Sequence, residues 1–182
     1  CSVSCRCANQ RLEQPPLEVT PDGTIAYVPL YGRGNTIKAV AIIDAADAPW
    51  VGQWRWSLNA KGYASRGVQI SGKSFTIRLN RMLLGLVHGD GMEGDHIDRD
   101  ILNHRRSNLR ALPKGGNAQN KSSYTGTSSA YRGVSWKQAN QKWQAEIKTR
   151  GTRIYLGLFD SEEEAATAAQ AARSRHMPYA VD

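Results

Sequence analysis

The 182-residue sequence lacks long apolar runs and has no cysteine after its first seven residues. No window approaches the roughly 20 apolar residues that a membrane-spanning helix needs. The first apolar run is short and comes late, so no secretory signal is predicted. Three cysteines cannot all pair with one another, so Cys1, Cys5 and Cys7 predict reduced thiols in a cytosolic protein. A structural Zn²⁺ at these cysteines is the alternative interpretation.

Acidic side chains are in the minority. The chain has 24 lysine and arginine residues against 16 aspartate and glutamate residues, a net charge of +8. Such a balance indicates a polyanionic partner, with nucleic acid ahead of an anionic membrane. A protein that is simply soluble and cationic is the alternative on charge alone.

The pattern along the chain predicts two modules. Residues 1–24 are polar and rich in proline and read as an irregular lead-in. Residues 25–121 predict a mixed module with an alternating strand at "TIAYVPLYG", a buried strand at "IKAVAII", a short helix capped by Asp44 and a hairpin that turns near Gly62. Residues 122–130 are a small-residue linker. Residues 131–182 predict three strands followed by a helix with Asp160 and Ser161 as candidate caps.

The stretch "GDHIDRDILNHRRSNLRAL" places Asp95 directly before His96. A carboxylate is a hard oxygen ligand that suits Mg²⁺, and a neighbouring imidazole takes a proton from water near neutral pH. A divalent cation on a phosphate oxygen offsets the charge that develops during hydrolysis. Taken alone, however, an Asp-His pair in a loop is more often a solvated polar pair.

The wider pattern resembles the HNH nucleases, in the form common among phage and intron-borne homing endonucleases. It consists of Asp95-His96-Ile97-Asp98, Leu102-Asn103-His104-Arg105, Asn108-Leu109-Arg110 and Asn117. The resemblance implies an α+β protein with a ββα-metal (His-Me finger) module, in which two strands and a helix hold one divalent ion. Mg²⁺ is expected, with Mn²⁺ as the alternative.

The resemblance also implies residue roles. Asp95 and Asn117 are the expected metal ligands, His96 the general base, and Asn108 the residue that holds the loop and so orients His96. His104 stands where the family more often has Asn, and we expect it to be exposed to solvent.

Two further positions of this module bear on the candidate site. Asn120 lies one helical turn from Asn117 and is expected to face the same site. Asn80, in "RLNRMLLGL", replaces a family His and is the third candidate catalytic residue. If that His touches the metal or the scissile phosphate, Asn80 impairs cleavage; if it only packs, Asn80 is tolerated.

The C-terminal sequence "YRGVSWKQANQKWQAEIKTRGTRIYLGLFDSEEEAATAAQAA" resembles the AP2 DNA-binding domain. That resemblance implies a three-stranded antiparallel sheet packed on one helix, with the sheet in the DNA major groove. Basic residues predominate across the predicted strands and acids cluster at the helix start. The candidate DNA-contacting residues matched by position are Arg132, Lys142, Lys148, Arg153 and Tyr155, and those added by residue type and strand location are Trp136 and Arg150. Trp143 alternates with Ala145 and Ile147 and is expected to face the core.

The sequence therefore predicts a site-specific endonuclease of the homing type for double-stranded DNA. It is expected to nick one strand per binding event as a monomer, with a dimer as the alternative, and to act away from membranes. The expected location is the cytoplasm of a bacterial host, with the gene carried by a phage or mobile element. The alternative is a catalytically inactive, sequence-specific DNA-binding regulator, which Asn80 favours. RNA is a poor partner for a groove-reading sheet because the A-form major groove is deep and narrow.

Overall fold

The computed structural model describes residues 15–120, 128–149 and 151–181. The chain divides into two compact units, Cys1–Lys114 and Gly115–Asp182. Both combine strands with helices, which confirms the α+β prediction. The division falls earlier than the boundary predicted after residue 121, so that Asn117 belongs to the second unit. The predictions for Cys1, Cys5, Cys7 and Arg150, and for most of the predicted linker, fall outside the described residues.

The first unit is built mainly on a six-stranded sheet. Strand β2 pairs antiparallel with β1 and β3, and its end pairs parallel with β4; β4, β5 and β6 continue as antiparallel neighbours. The strands and helices of this sheet are β1 (Glu18–Val19), β2 (Ile25–Tyr31), β3 (Ile37–Asp44), α1 (Ala48–Val51), β4 (Trp56–Leu58), β5 (Ala64–Ile70), β6 (Lys73–Arg78) and α2 (Leu79–Leu83).

The core of the first unit lies against one face of this sheet. Alternate residues of β2 are fully buried and pack with Trp56 and with Leu79 of α2.

Two predictions for this unit were wrong. The lead-in is not irregular throughout, because β1 lies within it and pairs with β2. Strand β3 is not buried along its length, since Ile37 and Val40 are exposed near its start and middle.

The hairpin predicted between β4 and β5 is confirmed. The Asn59 side chain accepts hydrogen bonds from the backbone N–H groups of Lys61 and Tyr63, and Gly62 adopts a left-handed conformation with φ of 81°. Glycine enters that region without steric cost, so this turn follows from local residue chemistry.

A two-stranded hairpin, β7 (Met92–His96) and β8 (Leu109–Pro113), carries the motif quoted above. Its register places Asp95 opposite Arg110 and His96 opposite Leu109. The loop between the strands docks on β3: the Ile42 N–H donates to the Leu102 carbonyl, and the His104 N–H donates to the Ile42 carbonyl. These bonds anchor a loop whose polar sequence has little apolar surface to bury.

Aspartates at the end of β3 also hold this loop. Asp44 makes no side-chain helix cap, contrary to the prediction, and instead accepts from Arg105 Nε and from the Arg106 N–H. Asp47 accepts from Arg106 Nε and Nη2 at 2.9 and 2.8 Å. The hydrogen bond with Asp47 raises the pKa of Arg106 above its ordinary value.

The second unit is a three-stranded antiparallel sheet packed on one helix, as predicted. Its order is β11-β10-β9, formed by β9 (Val134–Lys137), β10 (Lys142–Thr149) and β11 (Thr152–Phe159), with α3 at Glu162–His176. Ser161 caps α3 by accepting from the Glu164 N–H. Ala145 packs against Ala165 and Ala169, so small helix residues let the helix approach the sheet closely.

One glycine of the second unit is required by both conformation and space. Gly133 has φ of 84°, and a Cβ there would lie 2.6 Å from the Glu146 carbonyl oxygen. This explains the Arg-Gly step that opens the module.

In the described residues of both units, no helix has the length and apolar character to cross a membrane.

Candidate active site

Asp95, one residue from the end of β7, is almost fully buried, with its side chain 3% exposed. Arg110 holds it from the neighbouring strand: Nε and Nη2 donate to the same carboxylate oxygen, Oδ2, at 2.8 and 2.7 Å. The cross-strand register of the hairpin produces this pair directly. The Arg110 guanidinium therefore fixes the orientation of the Asp95 carboxylate and balances its negative charge.

His96 ends β7 and is buried, with 4% of its surface exposed. Burial lowers the pKa of its imidazole, although the charges of Asp95, Asp98 and Asp100 oppose the shift. The side chain is therefore neutral at physiological pH. A neutral imidazole has a lone pair with which to accept a proton, which is the requirement for a general base.

His104 is buried beside His96, with 1% of its surface exposed, so the expectation of a solvent-exposed residue was wrong. Its Nδ1 lies 3.2 Å from His96 Nε2, and the two rings meet edge to face. Burial lowers the pKa of His104 to about 3, so this ring is also neutral. His104 Nε2 has no hydrogen-bond partner in the structure as described. Because the backbone of His104 is bonded to Ile42, His96 contacts a ring held in place by the sheet.

Asn108 joins the two ends of the loop that follows β7. Its Oδ1 accepts from the Asp98 N–H, its Nδ2 donates to Asp98 Oδ1 and to the Asn103 carbonyl, and its own carbonyl accepts from the Ile97 N–H. Ile97 is the residue that directly follows His96 in the chain. Asn108 thus lies where it can hold the loop and, through it, the backbone that carries the imidazole.

Asn80 is a buried link between α2 and β7, with 2% of its surface exposed. Its Nδ2 donates to the Gly94 carbonyl at 2.9 Å, and its Oδ1 accepts from the Arg81 N–H. The amide therefore bonds to the backbone of its own helix and to the backbone of Gly94, the residue immediately before Asp95. This placement makes Asn80 a brace for the strand that carries the candidate site.

Asn117 is not on an α-helix in the described residues; it begins a three-residue 3-10 turn, Asn117–Gln119, in the second unit. Asn120 follows that turn and is buried. Within the ranges that the structure describes, no three His, Cys, Asp or Glu side chains are grouped to hold a metal ion. A site of three or four protein ligands, as structural zinc requires, is therefore not present among those residues.

The carboxylate of Asp95 nevertheless suits a different class of cation. Mg²⁺ keeps most of its water and binds through one or two protein oxygens together with substrate phosphates. An aspartate supported by an arginine has the donor chemistry for that role, whereas the pair of neutral imidazoles has not.

Two residues near His96 were not identified from the sequence as site residues. The Tyr63 ring lies 6.5 Å from the His96 ring, and the Arg78 guanidinium carbon lies 4.7 Å from the centre of the Tyr63 ring. Tyr63 lies directly before β5, and no spacing rule connects it to His96. Strand pairing brings these residues together.

The second unit presents a basic face on the side of the sheet away from α3. Residues alternate along β10, so that Ala145 and Ile147 face the helix while their neighbours face outward. Register extends this outer face to β9 and β11. The predicted residues that share it are Lys142, Lys148, Arg153 and Tyr155. Lys137, which lies opposite Lys142, also shares this face and was not predicted from the sequence.

The remaining predicted contacts differ in position. Trp136 pairs with Trp143, the rings meeting at 5.2 Å, and therefore lies on the helix side, where Trp143 packs on the core as predicted. Cross-strand partners share a face, so Trp136 does not lie on the outer face with the basic residues, and its contact with DNA stays a prediction. Arg132 precedes β9 and donates to the Gln119 carbonyl of the same unit at 2.7 Å.

Comparison with known proteins agrees with both motifs. Residues 129–175 match the AP2 domain family. Over 151 residues the chain is 30% identical to an uncharacterised HNH endonuclease of Acanthamoeba polyphaga mimivirus, an alignment that covers 79% of this chain and 72% of that protein. The chain belongs to the HNH endonuclease family. No solved structure matches it.

This HNH endonuclease family member carries an AP2 domain, as the sequence motifs predicted. The two features together indicate a protein that acts on DNA. The β7–β8 hairpin holds the family motif, and the AP2 sheet presents the basic face.

Proposed function

We propose that this protein is a metal-dependent, site-specific endonuclease of the homing type that nicks double-stranded DNA. The observation that carries the proposal is that Asp95 and His96, the last two residues of β7, are both buried. A base and an anionic oxygen ligand at adjacent positions are the minimum chemistry for phosphodiester hydrolysis.

In this proposal His96 takes the proton from the attacking water. Water attacks the phosphorus in line with the leaving oxygen, and cleavage leaves a 5′-phosphate and a 3′-hydroxyl. Asn108 holds the backbone that follows His96, and contact with His104 restricts rotation of the imidazole. The rate contribution expected for a positioned general base is about 10²- to 10⁴-fold.

Asp95 is the residue that would hold the divalent cation, with Mg²⁺ favoured and Mn²⁺ as the alternative. When bound, the cation neutralises charge on the scissile phosphate and stabilises the leaving oxygen. Arg110 sets the orientation of the carboxylate for that role. The family motif predicts Asn117 as the second ligand, and this stays a prediction.

The outer face of the AP2 sheet is proposed to hold the duplex. Lys148 and Arg153 are opposite one another across β10 and β11, and both are exposed. Arg153 pairs with Glu146 at 3.3 Å, and such an exposed ion pair costs little to exchange for a phosphate. The described residues hold one candidate site, which supports the proposal that a monomer cuts a single strand.

A non-cleaving DNA-binding regulator is the second candidate, favoured by Asn80 in place of the family His. The buried bonds of Asn80 to backbone groups support instead a residue that braces β7. If the family His has only that structural role, its replacement by Asn is compatible with cleavage.

The deciding experiment compares the full chain with His96→Ala on supercoiled plasmid, with Mg²⁺, with Mn²⁺ and with a chelator. We expect nicks with either metal, none with the chelator, and a loss of about 100-fold or more in His96→Ala. His88→Ala is the matched control, because His88 belongs to the same unit and is exposed. Its ring contacts Phe75. Intact DNA binding without nicks under either metal supports the regulator.

A further inference from the structure

We propose that Arg78, stacked on Tyr63, binds a backbone phosphate of the DNA strand beside His96. The proposal deepens the proposed nuclease function and rests on it for the meaning of His96. It adds a phosphodiester-binding residue of the first unit to the DNA contacts that the motifs had assigned to the AP2 sheet of the second unit.

The geometry connects the arginine to the candidate base through one aromatic ring. Arg78 ends β6 opposite Ser65 of β5, and Tyr63 lies directly before β5, two residues from Ser65. The guanidinium carbon is 4.7 Å from the Tyr63 ring centre. The same ring is 6.5 Å from the His96 ring. The arginine and the imidazole therefore share one aromatic neighbour, and a phosphate bound by Arg78 would belong to the DNA near His96.

Arg78 differs in ion pairing from four other arginines of the first unit. Among the described residues, it forms no ion pair, whereas Arg81, Arg105, Arg106 and Arg110 each pair with an aspartate. Its side chain is half-buried, yet a guanidinium remains charged at any physiological pH. A cation that is held near the site without a protein counter-ion has its charge available for an anionic ligand.

The tyrosine explains why the cation is stable without an acid. A guanidinium over an aromatic face is attracted by the ring quadrupole, and stacking leaves its N–H edges directed away from the ring. Those edges match the oxygens of a phosphate, which arginine binds in a bidentate manner. Stacking thus sets the orientation of the binding edge before DNA arrives.

A purely structural stack is the competing explanation, and the chain contains a matched example. Arg55 lies 3.5 Å from the centre of the Tyr31 ring. Among the described residues, Tyr31 makes no ring contact with a histidine. Substituting Arg78 and Arg55 in separate variants distinguishes the effect of stacking in general from the effect of proximity to His96.

The binding test uses full-length protein in the His96→Ala background, so that cleavage does not interfere, with a fluorescein-labelled random-sequence duplex. We expect Arg78→Gln to weaken binding about tenfold and to make the slope of log K against log salt shallower by about 0.9, the loss of one phosphate contact. Arg78→Lys retains most of the slope, and Arg55→Gln leaves it unchanged. Thermal unfolding of each variant confirms that the fold is intact.

The cleavage test uses the same substitutions with His96 present. Arg78→Gln is expected to slow single-turnover nicking at saturating protein about 10- to 100-fold, and Tyr63→Leu to act in the same direction. Tyr63→Phe, which keeps the ring, is expected to recover most of the rate that Tyr63→Leu loses. Unchanged affinity, salt slope and rate in folded Arg78→Gln overturn the proposal. If no variant nicks but Arg78→Gln still reduces the slope, the nuclease function fails and the phosphate site stands.

Discussion

The burial of His104 could not be predicted from its position in the sequence. The side chain is neutral and buried, with its Nδ1 against His96 Nε2. Its sequence neighbours are polar, and a loop has no periodicity from which burial can be predicted. The two backbone bonds to Ile42, more than sixty residues earlier in the chain, place the ring in the interior.

The pH dependence of stability tests this placement. His104 has a folded pKa of about 3, below its ordinary value of 6.5, so the unfolded chain binds a proton that the folded chain excludes. Its contribution is fully present above about pH 6.5 and is lost as pH falls from there toward about pH 3. We expect the free energy of unfolding to fall more steeply over this window in the unaltered chain than in His104→Leu, by on the order of a few kcal/mol.

Urea unfolding followed by tryptophan fluorescence at several pH values measures this difference. His96, which faces His104 and also has a lowered pKa, is present in both proteins and contributes to both curves. His176→Leu, at the end of α3, is the control for loss of a histidine. Parallel curves for His104→Leu and the unaltered chain contradict the buried, neutral state.

At the scale of elements, cross-strand register determines what each strand can contact. The β10 alternation separates a helix-facing set from an outward basic set. Residue type and strand location suggested Trp136 as a DNA contact, but its pairing with Trp143 places it on the helix side. Register is a relation between strands, so the sequence of β9 alone did not reveal it.

The two faces of the sheet predict different mutant behaviour. Lys148→Ala and Arg153→Ala are each expected to make the slope of log K against log salt shallower by about 0.9, because each removes one phosphate contact. Trp136→Phe is expected to leave the slope unchanged and to lower stability by about 1–3 kcal/mol. Fluorescence anisotropy with duplex DNA and thermal unfolding provide the two readouts. A reduced slope in Trp136→Phe, with no effect of Lys148→Ala, contradicts the assignment of faces.

At the scale of the whole molecule, basic charge is present in both units. The net charge of +8 includes the outer face of the AP2 sheet and, by our proposal, Arg78 in the first unit. A polyanion is attracted to such a surface independently of its base sequence, and binding releases condensed counterions.

We therefore expect full-chain affinity for random-sequence duplex to fall steeply with salt. At least four phosphate contacts predict a log–log slope of about −4 or steeper. A titration from about 50 to 200 mM salt, in the His96→Ala protein with chelator present, measures the slope without cleavage. A nearly flat response contradicts a phosphate-dominated interface, and duplex RNA in the same titration tests the preference for B-form DNA.

The sequence by itself determined both families, the α+β class, the strand–strand–strand–helix order of the second unit and the identity of Asp95 and His96 as candidates. These follow from residue types at short, characteristic spacings and from local alternation. Only the tertiary structure decided that His104 is buried against His96, that Asn80 braces β7, that Trp136 lies on the helix side and that Tyr63 brings Arg78 near His96. The physical reason is that these contacts join residues through strand pairing and loop docking, which are set by the packing of the whole unit.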